Sequence, residues 1–404
     1  MTDLPAQARV VIVGAGPAGL SAAITLRGLG ITDLIVLERD ATAGGIPRHC
    51  GHYPYGLREW GRLMTGPAYA ARLVAQARAA GVRIATGVSV TGLHPGPAVC
   101  VTSAAGVGRI AADLVLLTTG IRESSRAERF IGGTKPAGVL STGALQGLVY
   151  LAGQRPFRRP VILGTELVGF SALLTCRHAG IAPAGMVEPG PRATARWPSA
   201  LFPALQGVPL WRDTQVVAIE GRDQVEAVLL DGPAGQRRVV ADGLIVSGRF
   251  RPEATLLAGS HLTRDPGTGG PEVDALGRLS DPAFFAAGNL LRPVETAGRC
   301  WAEGRAVARA MARALAGPLP APGPRIVVEG PLSWVMPQRA GAPDGAALDA
   351  LQLRVRGPVR GYLSLLVDGV AMAGRPLTAL PERRITLPLP MAGGQVTVRL
   401  EGSR

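Results

Sequence analysis

The stretch Val10-Val11-Ile12-Val13-Gly14-Ala15-Gly16-Pro17-Ala18-Gly19-Leu20-Ser21-Ala22-Ala23 decides the fold. Its first four residues form an unbroken apolar run, as in a strand buried on both faces of a parallel sheet. Gly14, Gly16 and Gly19 then give G-x-G-x-x-G. Gly14 permits the tight turn out of the strand, Gly16 lets backbone approach a pyrophosphate, and Gly19 lets the helix pack closely on the sheet. The helix expected from Pro17, with Ala18 in its first turn, aims its N–H groups and dipole at the phosphates. A second apolar run, Leu34 to Leu37, ends in Glu38, nineteen residues after Gly19. A carboxylate there accepts hydrogen bonds from both hydroxyls of an adenosine ribose and repels a 2′-phosphate. Strand, glycines, helix, strand and acid together predict dinucleotide binding. The alternative is a glycine-rich turn with no ligand.

The chain has 404 residues, so two or three domains are expected. It is 47% hydrophobic and 18% charged, a globular balance. The formal net charge of +14 is carried almost wholly by arginine, since Lys135 is the only lysine. No basic run or interleaved aromatic platform accompanies it, so nucleic acid is not expected as a partner. Cys50, Cys100, Cys176 and Cys300 stand far apart without a C-x-x-C, which argues against a metal or iron–sulfur centre in this chain. The first strand begins within ten residues, without the layout of a signal peptide. No apolar run has the length of a membrane span. A cytoplasmic setting is expected.

Further along, Gly44 to His52 reads GGIPRHCGH, a loop too rich in glycine and proline for helix. It groups Arg48, His49, Cys50 and His52. Metal binding there lacks a fourth ligand. Residues Gly66 to Ala80 have helical spacing. Val82 to Ala85, Val88 to Leu93, Ala98 to Thr102 and Arg109 to Ala112 read as short strands, a small β insertion. Leu114 to Leu117 is another buried strand, closing in Thr118-Thr119-Gly120. Phe130 to Leu151 reads as a connecting segment. Pro160 to Gly180 then repeats the opening design, with Gly164 and Gly169 in the outer glycine positions and Glu166 in place of the middle glycine. Two like charges about 4 Å apart cost about 1 kcal/mol in water and about 4 kcal/mol at an intermediate dielectric. That is tenfold to several-hundredfold in affinity for a pyrophosphate. Glu188 ends the next strand, Gly185 to Val187, as a ribose-binding acid would. We expect a second nucleotide-type fold that has lost tight NAD(P) binding. The alternative is that Glu166 turns away and binding survives.

Leu210 to Val246 alternates like a β meander. Asp281 to Asn289 is a short strand closing in Gly288-Asn289, followed by a helix over Glu295 to Leu315. A helix N-terminus at that place suits negative charge on a cofactor's edge, and Asn289 suits a hydroxyl or phosphate. Pro318 to Pro324 is a stiff linker. Ile326 to Arg404 carries period-two stretches and no catalytic cluster, as in a docking or covering module.

VVIVGAGPAGL, Glu38, LLTTGIRE, the altered GTELVG and FFAAGN together resemble the FAD-dependent pyridine nucleotide-disulfide oxidoreductase superfamily over about residues 9 to 316. GGIPRHCGH, Arg122-Glu123 and AAGNLLRPVETAG resemble FAD subunits of bacterial multisubunit opine oxidase, hydrogen cyanide synthase, D-hydroxyproline dehydrogenase and sarcosine oxidase-like assemblies. VMPQR and LPERRITLPL in the tail are similar to flavoproteins that accompany anaerobic glycerol-3-phosphate dehydrogenases.

The resemblance implies an α/β chain with two Rossmann-like dinucleotide-binding domains (glutathione-reductase-like), the second inserted in the first, plus a small C-terminal β domain. The expected FAD-binding domain is 1–125 with 245–318, the degenerate NAD(P)-binding-like domain 126–244, and the β domain 325–404. It implies FAD contacts from Gly14, Gly16, Pro17, Ala18, Gly19, Glu38, Arg39, Gly45, Val90, Thr119, Gly120, Gly288 and Asn289. Arg48 and His49 would join them through the loop beside the flavin. His49 is the candidate proton acceptor, since imidazole titrates near neutral pH. Cys50 is the other catalytic candidate. If the loop has no catalytic role, it simply covers the cofactor. Disulfide members carry paired cysteines where this chain has only Cys50, so thiol–disulfide chemistry is not expected.

The implied function is a dehydrogenase subunit. It would oxidise a small-molecule amine, imino acid or polyol and pass electrons to a second flavoprotein subunit or a small [2Fe-2S] protein docked on the basic surface. Two alternatives stand beside it: a stand-alone NAD(P)H-dependent flavin reductase, and a non-catalytic FAD-bearing scaffold.

Overall fold

A computed structural model describes residues 4–341, 344–390 and 394–402. The ends of the expected first and last domains, 1–3 and 403–404, lie outside the described residues, as do 342–343 and 391–393. The opening strand, Gln7–Val13, is central to a sheet of seven strands. It pairs in parallel with Leu34–Glu38 on one side and with Gly106–Leu117 on the other. Arg83–Thr86 continues the parallel order beyond Leu34–Glu38. Val10 to Ile12 are completely buried, as expected of a strand covered on both faces.

Gly106–Leu117 is one strand of twelve residues, where two short ones, Arg109 to Ala112 and Leu114 to Leu117, were expected. Its first half pairs antiparallel with Ala98–Ser103, and its last three residues pair in parallel with Phe284–Ala286. The half that leaves the core is exposed at Val107 to Arg109, which hides its continuity in the apolar pattern.

The helix Pro17–Gly28 packs on one face against Ala297–Ala316. The contact is backbone-close: a methyl group on Gly304 would run into Ala18 O, and Ser21 Oγ donates to Trp301 O at 2.8 Å. The long helix starts at Ala297, two residues later than expected, because Thr296 caps it and accepts from Arg299 N at 3.4 Å.

The chain leaves the first sheet through Ile121–Arg122 and comes back through Arg251–Pro252, and these two strands pair antiparallel. Between them stands a second, wholly parallel sheet in the order Leu210–Trp211, Gly185–Val187, Pro160–Leu163, Gly243–Val246, Val139–Ser141. The expected connecting segment Phe130 to Leu151 therefore supplies an edge strand, and also the helix Thr142–Gln146. Three residues between glycines carry too little pattern to announce that strand. The expected meander is confined to Gln215–Glu220, Ala227–Gly232 and Gly235–Val240; its flanks belong to the parallel sheet.

The C-terminal residues form two small sheets around their own core of Leu332, Leu351, Leu353, Leu363, Leu365, Val396 and Val398. Three of its strands, Val327–Glu329, Leu332–Met336 and Val370–Ala379, were not foreseen. A fully buried arginine joins this unit to the first fold. Arg292 forms an ion pair with Glu303, donates to Gly288 O at 3.0 Å, and donates to Gln352 Oε1 of the C-terminal unit at 3.1 Å.

Candidate functional site

One continuous cavity of about 1640 Å³ runs between the first sheet and the parallel second sheet and beneath the C-terminal unit. It exceeds the roughly 300–1,000 Å³ of an ordinary small-ligand pocket. One end is the opening motif. Gly14 turns at φ +106° with Thr118 O 2.6 Å from where a Cβ would stand, so a side chain there is doubly excluded. A methyl group on Gly19 would run into Gly14 O, which fixes how closely the helix follows the turn. Gly16 differs from both: a methyl group there would meet no atom within 4 Å. Its missing side chain keeps open space. No side chain caps the helix beginning at Pro17, and Pro17 and Ala18 of its first turn line the cavity.

Glu38 is buried at the end of its strand. Its carboxylate accepts from Ala15 N at 2.9 Å and from Asp40 N at 3.0 Å. Four lone-pair sites leave room for ribose hydroxyls as well. Gly120, at the turn after Gly106–Leu117, also borders open space. These residues fit an adenine dinucleotide: an open glycine, an uncapped helix start and a buried acid.

The cavity wall includes Gly14, Gly16, Pro17, Ala18, Glu38, Arg39, Gly45, Arg48, His49, Cys50, Val90, Thr119, Gly120 and Asn289 among the expected residues. Gly19 and Gly288 lie behind it. Gly288 packs against Ala18 and Cys300, where a methyl group would sit 2.9 Å from Ala18 Cβ. Asn289 is on the wall with its amide already engaged: Oδ1 accepts from Glu295 N at 2.6 Å and Nδ2 donates to Glu295 O at 3.0 Å. It shapes the approach to the long helix, in place of the free hydrogen-bonding group expected.

The loop after Glu38 includes one 3-10 turn, Ile46–His49. Arg48 is turned back onto Asp40 and Thr42 and donates to Gly45 O at 3.3 Å. Burial, then the Arg48 charge, holds the His49 imidazole down to about 4, against a weaker upward pull from Asp40. His49 therefore does not titrate near neutrality as expected. It is neutral there. Burial pushes the Cys50 thiol up to about 11, and its Sγ donates to Gln146 Oε1 at 3.5 Å. A thiol in that state is a poor nucleophile.

The second fold repeats the first with a different interior. Gly164 turns at φ +107° with Ser247 O 2.9 Å from where a Cβ would stand. Glu166 holds the position before the helix Leu167–His178, and its Oε1 accepts from Arg249 N at 2.8 Å. A methyl group on Gly248 would lie 2.5 Å from that oxygen. The gap that is open at Gly16 and Gly120 is thus filled by a carboxylate. Burial raises the Glu166 pKa against the pull of the Arg249 N–H and Arg129. Glu188 is also occupied: Thr165 Oγ1 and, at 3.4 Å, Thr194 Oγ1 donate to Oε2, and Gly190 N donates to Oε1 at 2.9 Å. Two hydroxyls of the chain itself meet the acid that a ribose would use.

Sequence reading missed the third wall. Ser333, Trp334, Arg354, Arg356, Glu382 and Arg383 of the C-terminal unit line the same cavity. Arg384 pairs with Glu295 at 2.8 Å, Arg192 with Glu382 at 2.9 Å, and Arg383 donates to Thr194 O at 3.4 Å. The unit therefore spans both folds. Polar residues alternating with the apolar ones of its strands were the available signal, and they look the same when such a face is solvated. Among the described residues no group of three or more His, Cys, Asp or Glu side chains is arranged to hold a metal, and no helix is long and apolar enough to cross a membrane.

Residues 7–55 match the family described as "FAD binding domain". FAD is the cofactor of the opening fold. The fold over most of the chain is similar to that of solved oxidoreductases. Thioredoxin reductase from T. acidophilum is 21% identical, with a TM-score of 0.66 over 78% of this chain and 100% of that one. L-proline dehydrogenase from P. horikoshii is 19% identical at a TM-score of 0.60, over 78% of this chain, which spans 57% of that longer one. The NAD-dependent persulfide reductase from A. fulgidus is 18% identical at 0.60, over 91% of this chain and 70% of the other. No curated protein sequence matches the chain.

Proposed function

We propose that this chain is the FAD-bearing subunit of a multisubunit dehydrogenase. It oxidises an amine, imino acid or polyol and passes electrons to a partner flavin or iron–sulfur subunit. In this reading residues 1–125 and 245–318 hold FAD, 126–244 is a nucleotide fold without its nucleotide, and 325–404 covers the cavity and meets partners. FAD, when bound, accepts the electrons of the oxidation. The chain's own residues seat it: Gly16 and the first turn of the helix at the pyrophosphate, Glu38 at the ribose, and the start of Ala297–Ala316 at the flavin.

The observation that carries the reading is the contrast between Gly16, which borders open space, and Glu166, whose carboxylate fills the corresponding gap. Without a seat for NAD(P)H, electrons enter from a substrate or another subunit. The cysteines, all four free and widely spaced in sequence with Cys50, Cys176 and Cys300 buried, support the same view. They also suit the reducing cytoplasm we assign to the protein. His49 acts in this scheme as a neutral hydrogen-bonding partner near the flavin.

Anaerobic mixing of the purified yellow protein with NADH tests the proposal. The flavin absorption band is expected to persist. Rapid bleaching would establish the stand-alone reductase instead. Purification from the native host should bring down companion chains with dehydrogenase activity; companions inert as a complex would point to a scaffold.

A further inference from the structure

The strand Leu351–Val355 has two faces. Leu351, Leu353 and Val355 pack into the C-terminal core. Gln352 and Arg354 project the other way, by the period of two. Gln352 is matched, since its Oε1 accepts from Arg292 Nε at 3.1 Å. Arg354 lines the cavity, and its buried Nη1 has no acceptor. An unmatched buried donor is unfavourable until something accepts from it. Among the described residues the other buried, unmatched guanidinium nitrogen is Arg129 Nε, whose Nη2 already donates to Ser247 O.

The charges around Arg354 do not supply the acceptor. Glu295 and Glu382 stand near it, as do Arg384 and Arg292. Glu295 is shared among Arg384 at 2.8 Å, Arg299 at 3.8 Å and Arg292 at 4.0 Å. Glu382 is shared between Arg192 at 2.9 Å and Arg383 at 3.4 Å. Both carboxylates are committed to other guanidinium groups. Arg356 adds a further positive charge to the same wall.

We propose that Arg354 is the anion seat of this cavity, its guanidinium donating to an anionic oxygen of the molecule bound beside the start of the long helix. Two sources present such an oxygen there. One is the carboxylate or phosphate of a small ligand, which would narrow the substrates to anionic ones. The other is the pyrimidine edge of reduced flavin. The proposal rests on the flavin-dependent reading above, and the C-terminal unit becomes part of the reaction chamber in either case.

The test uses the FAD-loaded full chain beside its Arg354→Gln and Arg354→Lys variants. Acetate and inorganic phosphate are titrated in, followed by flavin absorption and by calorimetry. The flavin midpoint potential is measured without added anion. Saturable anion uptake in the wild type, at least tenfold weaker in R354Q and partly recovered in R354K, assigns the oxygen to a ligand. A lower potential in R354Q with wild-type anion behaviour assigns it to the reduced flavin. Unchanged uptake and unchanged potential in R354Q overturn the proposal. If R354Q does not load FAD, R354K is judged by the same two measurements against the wild type. A wild-type chain that cannot be loaded with FAD yet takes up phosphate through Arg354 would sink the flavin reading and leave the anion seat standing.

Discussion

The two parallel-sheet folds share a frame and differ in what fills it. Both turn at a glycine of nearly identical φ, +106° at Gly14 and +107° at Gly164. Both press that glycine against a carbonyl at the end of a neighbouring strand, Thr118 in one and Ser247 in the other. Both end their second strand in a buried glutamate. The first then leaves a gap at Gly16, and the second closes it with Glu166. The frame is set by packing and has been kept in both copies. The gap beside it is set by a few side chains and is filled by a carboxylate in one. A glycine motif thus contains two kinds of glycine, those the protein needs and one that only the ligand needs.

That division can be broken experimentally. Gly16→Glu would copy the second fold into the first. Because its side chain meets open space, the variant should fold with a melting temperature near the wild type. It should lose FAD affinity by tenfold to several-hundredfold from charge alone, read as loss of yellow colour on gel filtration. Retained stoichiometric FAD would refute the comparison. Glu166→Gly is the reciprocal change, expected to raise NADH affinity by a similar factor over the wild type in calorimetry. No gain would mean that Thr165 and Thr194 on Glu188 suffice to bar the nucleotide. Gly19→Ala tests the other class. Its methyl group is opposed by Gly14 O, so it should cost about 1–3 kcal/mol of stability, seen as a shifted urea midpoint.

Smaller effects separate the first fold's loop from the rest. His49 is held down from 6.5 to about 4. The unfolded chain takes up a proton there between those values and the folded chain does not, so His49 lowers stability as pH falls from 6.5 towards 4. In His49→Gln the loss of stability between pH 7 and pH 5 should be smaller than in the wild type; equal losses would disprove the assignment. Burial also raises the Cys50 thiol to about 11 and those of Cys176 and Cys300 to about 12. An aromatic disulfide reagent should therefore label Cys100 first in the native protein, with the other three following only on unfolding.

Much of this comparison was legible in the sequence, because its terms are local. G-x-G-x-x-G, Glu38, Glu166 and Glu188 announce themselves by spacing along one strand–turn–helix. What was not legible depends on distant contacts. Asn289 looked free, and its partner is the backbone of Glu295. His49 looked like a base near neutrality, and burial decides otherwise. Val139–Ser141 looked like a connector, and becomes a strand only because Gly243–Val246 offers it an edge. The tail looked like an appendage. Its place in the cavity rests on Arg292–Gln352 and Arg384–Glu295, pairs separated by 60 and 89 residues.

Glu123 gives the joint between the folds its character. Its carboxylate, just past Ile121–Arg122, accepts from Gly143 N at 2.8 Å in the helix Thr142–Gln146 and from Gly248 N at 3.0 Å in the loop after Gly243–Val246. Burial raises its pKa. Swinging the second fold away would strip both donors from a group that has little water to replace them. The crossing is therefore pinned: one carboxylate fastens the end of the outgoing strand to two separate segments of the second fold.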